Sequence, residues 1–146
     1  MKTLREVMRP GFVFAIQRDA TVSAAVRMMA SHNVGIVAVL DRDRLVGVFS
    51  ERDVVRRVVD RGLDPATTEV AAVMTADLVV AAADDDYQSA MRTMDAANIR
   101  HLPVVGDGRL LSMLSIRDLM RVDLETKGQE IRYLTEYLYQ VPATGA

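Results

Sequence analysis

Gly47-Val48-Phe49-Ser50-Glu51-Arg52-Asp53 decides how this chain is built, because the chain carries the pattern twice. Sixty-five residues later stands Ser112-Met113-Leu114-Ser115-Ile116-Arg117-Asp118, with Ser, Arg and Asp at the same offsets. In each copy a short apolar run ends at a Ser and a helix-compatible segment follows, which predicts a strand running directly into a helix N-terminus. The first turn of a helix offers free backbone N–H groups and a partial positive charge that suit a phosphate. An Asp one turn in can accept hydrogen bonds from sugar hydroxyls. The same Ser-x-x-Asp spacing is also a capping box that needs no ligand. One copy leaves both readings open, and the repetition favours a shared site.

Working outward, the flanking segments repeat too. Residues 4–8 predict a short helical lead-in ended by Pro10-Gly11, followed by an extended stretch from Phe12 to Ile16. A helix starts at Asp19 or Thr21, with Val22, Ala25, Val26 and Met29 as its apolar stripe and Asn33 as its stop. Gly35 to Leu40 and Leu45 to Phe49 predict two strands about a tight polar turn. The helix after Ser50 is expected to turn Val54, Val55, Val58 and Val59 inward and to end at Gly62. After a linker at Asp64-Pro65 the programme restarts. Val73-Met74 echoes Val7-Met8, and Tyr87, Ala90, Met91 and Met94 repeat the stripe. Asn98 repeats Asn33, and Leu102–Val105 with Leu110–Leu114 repeats the strand pair. The division expected is 1–65 for the first repeat, 66–122 for the second and 123–146 for a C-terminal helix and tail. A unit of this kind has a sheet face it cannot cover alone. The copies are therefore expected to pack sheet to sheet with pseudo-twofold symmetry around two shared clefts.

Residues 125–140 form a third region, with Ile131, Leu134 and Leu138 on one stripe and Tyr133, Tyr137 and Tyr139 nearby. Such a surface either packs back on its own chain or supports self-association, and the second predicts a homodimer.

Half of the residues are apolar and 26% are charged, a composition that folds. A net charge of −2 supplies no general basic field, so nucleic-acid binding is not expected despite the local run Arg52, Arg56, Arg57 and Arg61. The absence of cysteine removes disulfide and thiolate chemistry. Arg5, Glu6 and Arg9 break any signal-peptide core, and no window reaches the ~18 apolar residues of a membrane span. A cytoplasmic location with no membrane contact is expected.

The Val-Met openings at 7–8 and 73–74, the stretches Gly35-Ile36-Val37-Ala38-Val39 and His101-Leu102-Pro103-Val104-Val105, and the two Ser-x-Arg-Asp signatures together resemble a pair of cystathionine-β-synthase (CBS) domains. The likeness covers about four-fifths of the chain and extends to small stand-alone bacterial proteins of this type. It implies an α+β fold of two β-α-β-β-α units, here followed by a C-terminal helix, with adenosine nucleotides held between the repeats. Carried over by position, Ser50 and Asp53 in the first copy, and Ser115 and Asp118 in the second, would meet phosphate or ribose, with Arg52 and Arg117 facing phosphate. Gly35, Ile36 and Val37, and Arg100, His101, Leu102 and Pro103, would border the base. Phe14 and Val79 would complete the walls. The pattern predicts that Ser115 and Asp118 face Gly35 and Ile36, and that Ser50 and Asp53 face Arg100 and His101, while Arg100 could serve either cleft, on the phosphate in one or at the edge of the base in the other. Two departures, Ala38 opposite Pro103 and Ser112 opposite Gly47, predict unequal clefts.

Other chemistries have little support. His32 and His101 are the only histidines and lie at non-equivalent positions, so no metal site is expected. Neither signature Ser has a base beside it, so no catalytic residue is expected. Asp84-Asp85-Asp86 suits a helix N-terminus, and the glycines form no phosphate-cradling loop. The expected function is a regulatory, energy-sensing module that takes AMP, ADP, ATP, NAD or S-adenosylmethionine as ligand, requires no cofactor and acts on an effector protein. The alternative is a structural dimerisation or adaptor protein whose clefts stay empty.

Overall fold

Thr21 and Asp86 stand just before the two apolar stripes, and each caps a helix. The Thr21 hydroxyl accepts from Ala24 N–H and the Asp86 carboxylate from Gln88 N–H, starting α2 (Val22–His32) and α4 (Tyr87–Ala97). Both helices stop at an Asn in the left-handed region, Asn33 at φ 52° and Asn98 at φ 53°. The computed structural model describes residues 2–8 and 13–139, apart from the side chains of Glu136, Tyr137 and Tyr139. The expectations placed on Pro10-Gly11, Phe12 and Gln140, and on the side chains of Tyr137 and Tyr139, lie outside the described residues.

The remaining elements are α1 (Leu4–Val7), β1 (Ala15–Gln17), β2 (Ile36–Asp41), β3 (Arg44–Ser50), α3 (Glu51–Asp53), β4 (Ala81–Ala82), β5 (His101–Gly106), β6 (Arg109–Ser115) and α5 (Ile116–Tyr139). A π-helical stretch, Val54–Val59, continues α3, and a 3-10 turn, Val70–Ala72, lies between the repeats. Two three-stranded sheets result, ordered β1-β2-β3 and β4-β5-β6, each with one parallel and one antiparallel pairing. Both carry the same register shift, at Val39/Leu40 and Val104/Val105. The fold is thus α+β, two copies of one unit with a C-terminal helix.

The departure at Ala38 and Pro103 explains why the two sheets differ in their first strand. Ala38 N–H donates to Phe14 O at 2.9 Å, and β1 pairs from Ala15↔Ala38 onward. Pro103 has no N–H to donate. Pairing in the second sheet therefore begins one residue later, at Ala81↔Val104, and β4 has two residues where β1 has three.

The lead-in segments are exchanged. Leu4 N–H donates to Asp85 O and Arg5 N–H to Ala83 O, so the N-terminal helix α1 sits on the second repeat. Val70 N–H and Ala71 N–H make the corresponding bonds to Ala20 O and Arg18 O of the first. The apolar cores follow suit. Leu4 is fully buried with Tyr87, Ala90, Met94, Leu102, Leu114 and Leu119, whereas Val70 and Val73 are buried with Val22, Met29, Val37, Val39, Phe49 and Val58.

Two expectations are corrected. Val55 and Val59 do not turn inward; they are 62% and 69% exposed, and only the Val54/Val58 edge of the helix meets the core. Val54 and Val58 anchor the helix on the core, Arg57 Nη1 donates to Met74 O at 2.7 Å, and the stretch winds as a π-helix. Residues 125–139 are not a separate element. They continue α5, which runs unbroken through Gly128.

Gly47 is required by the chain itself. A Cβ there would lie 2.5 Å from Met74 Sδ and 2.9 Å from Thr75 O. The lead-in strand lies flat across it, with Thr75 and Val48 exchanging backbone hydrogen bonds of 2.9 and 3.0 Å. Gly47→Ala is expected to cost about 1–3 kcal/mol of folding stability through overpacking against a backbone oxygen. Ser112→Ala, at the equivalent position, is expected to stay within ~1 kcal/mol. Urea denaturation of the two variants checks the difference.

Candidate functional site

Strand β6 ends at Ser115, and α5 begins at the next residue because the signature caps its own helix. Asp118 Oδ2 accepts from Ser115 N–H at 3.0 Å, and Ser115 Oγ accepts from Asp118 N–H at 3.1 Å. Antiparallel pairing sets His101 opposite Ser115, and Ile116 N–H donates to Arg100 O at 2.8 Å. Arg100, His101, Ser115, Ile116 and Arg117 are thereby gathered at one end of the second sheet. Facing them from the first repeat are Phe14 and the turn from Asn33 to Ile36, and the cleft between has a volume of about 540 Å³.

Seven of the expected site residues, Phe14, Gly35, Ile36, Arg100, His101, Ser115 and Arg117, line this single cleft. Its apolar wall is Phe14, Val34, Ile36, Met113 and Ile116. Phe14 is itself backed by His32, whose ring stacks on it at 4.3 Å between centroids. Arg100 and Arg117 are exposed, and neither makes an ion pair among the described residues. His101 is half-buried, and desolvation lowers its pKa below the usual 6.5; Arg100 pushes the same way, while the carboxylates of Asp118 and Glu51 oppose them.

Asp118 borders a second hollow, of about 340 Å³, with Val7, Ser112, Met113, Leu114, Arg121 and Val122. Ser112, at the position equivalent to Gly47, is one of the residues lining this hollow. Val37, Leu102 and Pro103 are buried strand residues of the two cores, and Val79 packs against the second core rather than lining either space.

The first signature is differently disposed. Ser50 and Asp53 form the same capping pair, with Ser50 N–H and Oγ donating to Asp53 Oδ2 at 3.0 and 3.2 Å. Thr75 Oγ1 also donates to Asp53 Oδ1 at 3.2 Å, and Arg57 Nε lies 3.4 Å from the same oxygen. Asp53 is only 6% exposed. Its carboxylate is committed to its own chain, while Arg52 is exposed on the helix surface. Glu51, rather than Ser50 or Asp53, reaches toward the shared cleft: its Oε2 lies 3.2 Å from where a Gly35 Cβ would be. Equivalent positions therefore carry Gly35 and Glu51 in one repeat and Arg100 and Ile116 in the other. Sequence reasoning singled out Arg100 but overlooked Glu51 and Thr75. The replacement of a charged residue, Glu51, by apolar Ile116 at the equivalent position was the available signal for Glu51, and the Thr after Val73-Met74 for Thr75.

Among the described residues no three His, Asp or Glu side chains gather to hold a metal ion, and no helix is long and apolar enough to cross a membrane.

Comparison with known proteins places these features in a wider group. A family model described as CBS domain matches residues 4–60 and 70–125. The CBS domain-containing protein CBSX3, mitochondrial, of Arabidopsis thaliana is 32% identical over 125 residues, which are 82% of this chain and 61% of that protein. This chain thus spans about three-fifths of that relative's length. The solved structure of a signal-transduction protein with CBS domains from Burkholderia ambifaria superposes with a TM-score of 0.79 at 27% identity, covering 85% of this chain and 95% of that one. Hypoxic Response Protein I, solved with two coordinated zinc ions, gives a TM-score of 0.74 at 28% identity over 83% of this chain and 98% of that one.

Two outcomes follow from the geometry. Because folding lowers the His101 pKa, the unfolded chain takes up its proton first as pH falls. The stability from neutral His101 is complete above pH ~6.5 and is lost as pH falls from there through the lower folded value. Chemical denaturation between pH 5 and 8 should show this slope in the parent chain and a flatter one in His101→Gln. Asp53→Ala should destabilise by about 1–3 kcal/mol more than Asp118→Ala, because it also strands Thr75 and Arg57. Thermal unfolding of the two variants measures that gap.

Proposed function

The chain belongs to the CBS domain family, and we propose that it is a non-catalytic regulatory module that binds one adenosine nucleotide in the Ser115 cleft. The observation that carries this reading is the pairing of an apolar wall with two guanidinium groups, Arg100 and Arg117, that have no ion-pair partner among the described residues, in one cleft of about 540 Å³. That volume lies in the range of small-molecule sites, which are mostly apolar with a few placed polar groups. Guanidinium groups suit phosphate, to which they can donate two hydrogen bonds at once. Phe14, Val34 and Ile36 offer the base a flat apolar contact, and Ser115 with the N–H groups opening α5 favours the anion. Asp118, one turn into the helix, supplies a carboxylate for ribose hydroxyls from the adjoining hollow. NAD and S-adenosylmethionine share the adenosine part, so the cleft's charge is the feature that ranks them: ligands with phosphate are favoured over the cationic sulfonium.

The first signature supports a different role. With Asp53 held by Ser50, Thr75 and Arg57, its Ser-x-Arg-Asp serves as the cap and latch of its own helix. The adaptor reading is favoured by this copy alone. Self-association as a homodimer, a cytoplasmic site of action and an effector protein that senses the liganded state complete the proposal. Signalling through such a partner requires that nucleotide bind the two states of the module with different affinity.

Thermal-shift measurements with AMP, ADP, ATP, NAD and S-adenosylmethionine test the proposal. A ligand at about a hundredfold over its dissociation constant should stabilise the fold by roughly 2.7 kcal/mol. Arg100→Ala and Arg117→Ala should each weaken binding about ten- to hundredfold, the loss of a charged hydrogen bond. Arg52→Ala, outside the cleft, should leave affinity unchanged, and calorimetry should return a stoichiometry of one per chain. No shift with any of the five ligands would leave the adaptor reading in its place.

A further inference from the structure

Asn33, Val34 and Gly35 form a thin partition. On one side they line the cleft that holds Arg100 and Arg117, and on the other they line, with Glu51, Val54 and Val55, a hollow of about 350 Å³. Gly35 is the one of the three without a side chain, and the Glu51 side chain lies over it. Cγ, Cδ and Oε2 of Glu51 would stand 3.9, 3.4 and 3.2 Å from a Cβ at Gly35. The backbone holds Glu51 in this place, its N–H donating to Gly35 O at 3.0 Å. The carboxylate is exposed and makes no hydrogen bond or ion pair among the described residues. Its charge nonetheless reaches the cleft, because it acts on the His101 imidazole and opposes the lowering of that pKa by burial. In the second repeat the equivalent position is Ile116, an uncharged wall of the cleft. Glu51 is therefore a charge that only the first repeat brings to this place.

The charges around the cleft nearly balance. Arg100 and Arg117 supply two positive charges, and His101, with its lowered pKa, is neutral at neutral pH. Asp118 and Glu51 supply two negative ones. Arg52 and Arg121 lie outside the cleft, the first exposed on the helix surface and the second bordering the adjoining hollow. A phosphate monoester carries about −1.5 to −2 at pH 7, a charge that two guanidinium groups match. Each phosphate beyond the first brings negative charge that no further cation among the lining residues offsets. Of the two carboxylates, Asp118 is occupied in capping α5. Glu51 is the one without a bond of its own, and its field crosses the partition at the residue that offers no side chain to block it.

On the nucleotide reading of the cleft, we infer that Glu51 is a specificity-determining residue that limits the ligand's phosphate count, favouring one phosphate over three by repulsion across Gly35; the role stands only if that reading does. Calorimetric titration of AMP and of ATP, at neutral pH in magnesium-free buffer, into the parent chain and Glu51→Gln tests it. The parent chain should bind AMP more tightly than ATP. Glu51→Gln should narrow that gap about two- to fivefold, the range of a single exposed charge interaction, by strengthening ATP binding more than AMP binding. The difference between parent and variant should shrink as salt is raised, because screening removes the same repulsion that the substitution removes. A parent chain that binds ATP as tightly as AMP, or a gap of the same size in both proteins, would overturn the role of Glu51 and leave the cleft a nucleotide site. Equal strengthening of both nucleotides in the variant would trace the effect to packing over Gly35 and overturn the role as well. Binding of neither nucleotide to the parent chain would overturn the nucleotide reading and the role of Glu51 together.

Discussion

Neither sheet can close its own core, and the exchange of lead-in segments is what answers that constraint. A unit of some sixty residues buries too little surface to stand alone. Here each unit takes a helical turn from the other's beginning: Leu4 is buried in the second core, and Val70 and Val73 in the first. The backbone bonds that seat them are the same in both directions, Leu4 to Asp85 and Val70 to Ala20. The exchange also covers an exposed backbone edge, since Thr75 pairs with Val48 where β3 would otherwise end the first sheet. With the two repeats tied in this way, the start of β2 and the start of β5 lie across from each other, and the cleft is the space left between them.

The same tie explains why one signature has two fates. In the first repeat the incoming segment brings Met74 over Gly47 and Thr75 onto Asp53, and Arg57 closes the network on Met74 O. In the second repeat Val122 stands where Arg57 would be, and among the described residues Asp118 keeps only its two capping bonds. A buried carboxylate with several donors has little left to offer a ligand, whereas a half-buried one bordering a hollow does. Among the described residues, one copy's carboxylate is thus committed to cohesion and the other borders a hollow.

What was legible in the sequence was local or periodic. Caps at Thr21 and Asp86, left-handed stops at Asn33 and Asn98 and the strand runs are set by neighbours within a turn, and the offset of sixty-five related the copies. The gathering of His101 with Ser115 and Arg117 was not legible, because the repeat set His101 opposite Ser50 and Asp53; it is strand register that places the ends of β5 and β6 side by side. The exchange of lead-ins was not legible, because the likeness of Val7-Met8 to Val73-Met74 says that they are equivalent and not which core each enters. The outward position of Val55 and Val59 also escaped, since an apolar pair one turn apart looks the same whether the sheet or water lies beneath it. Arg57 also reaches Met74 O seventeen residues away, a contact with no local trace. The unbroken course of α5 was obscured by Gly128, whose intrinsic cost the surrounding helix overrides.

α5 joins the two surfaces that matter most. Its first residues, Ile116 and Arg117, are walls of the cleft, Leu119 lies in the core, and its last turns leave Leu124, Ile131, Leu134 and Leu138 exposed. Twenty-four residues of helix extend about 36 Å, so a small rotation at the first turn becomes a displacement of several ångströms at the far end. Under the proposed nucleotide reading, an anion held by Arg100 and Arg117 would act on that first turn, because Ile116 N–H is bonded to Arg100 O. The Asp123 contacts to Tyr87 and Lys127 lie at the point where the helix leaves the core, and they resist bending there. A stiff lever fixed at its exit transmits rotation about that point.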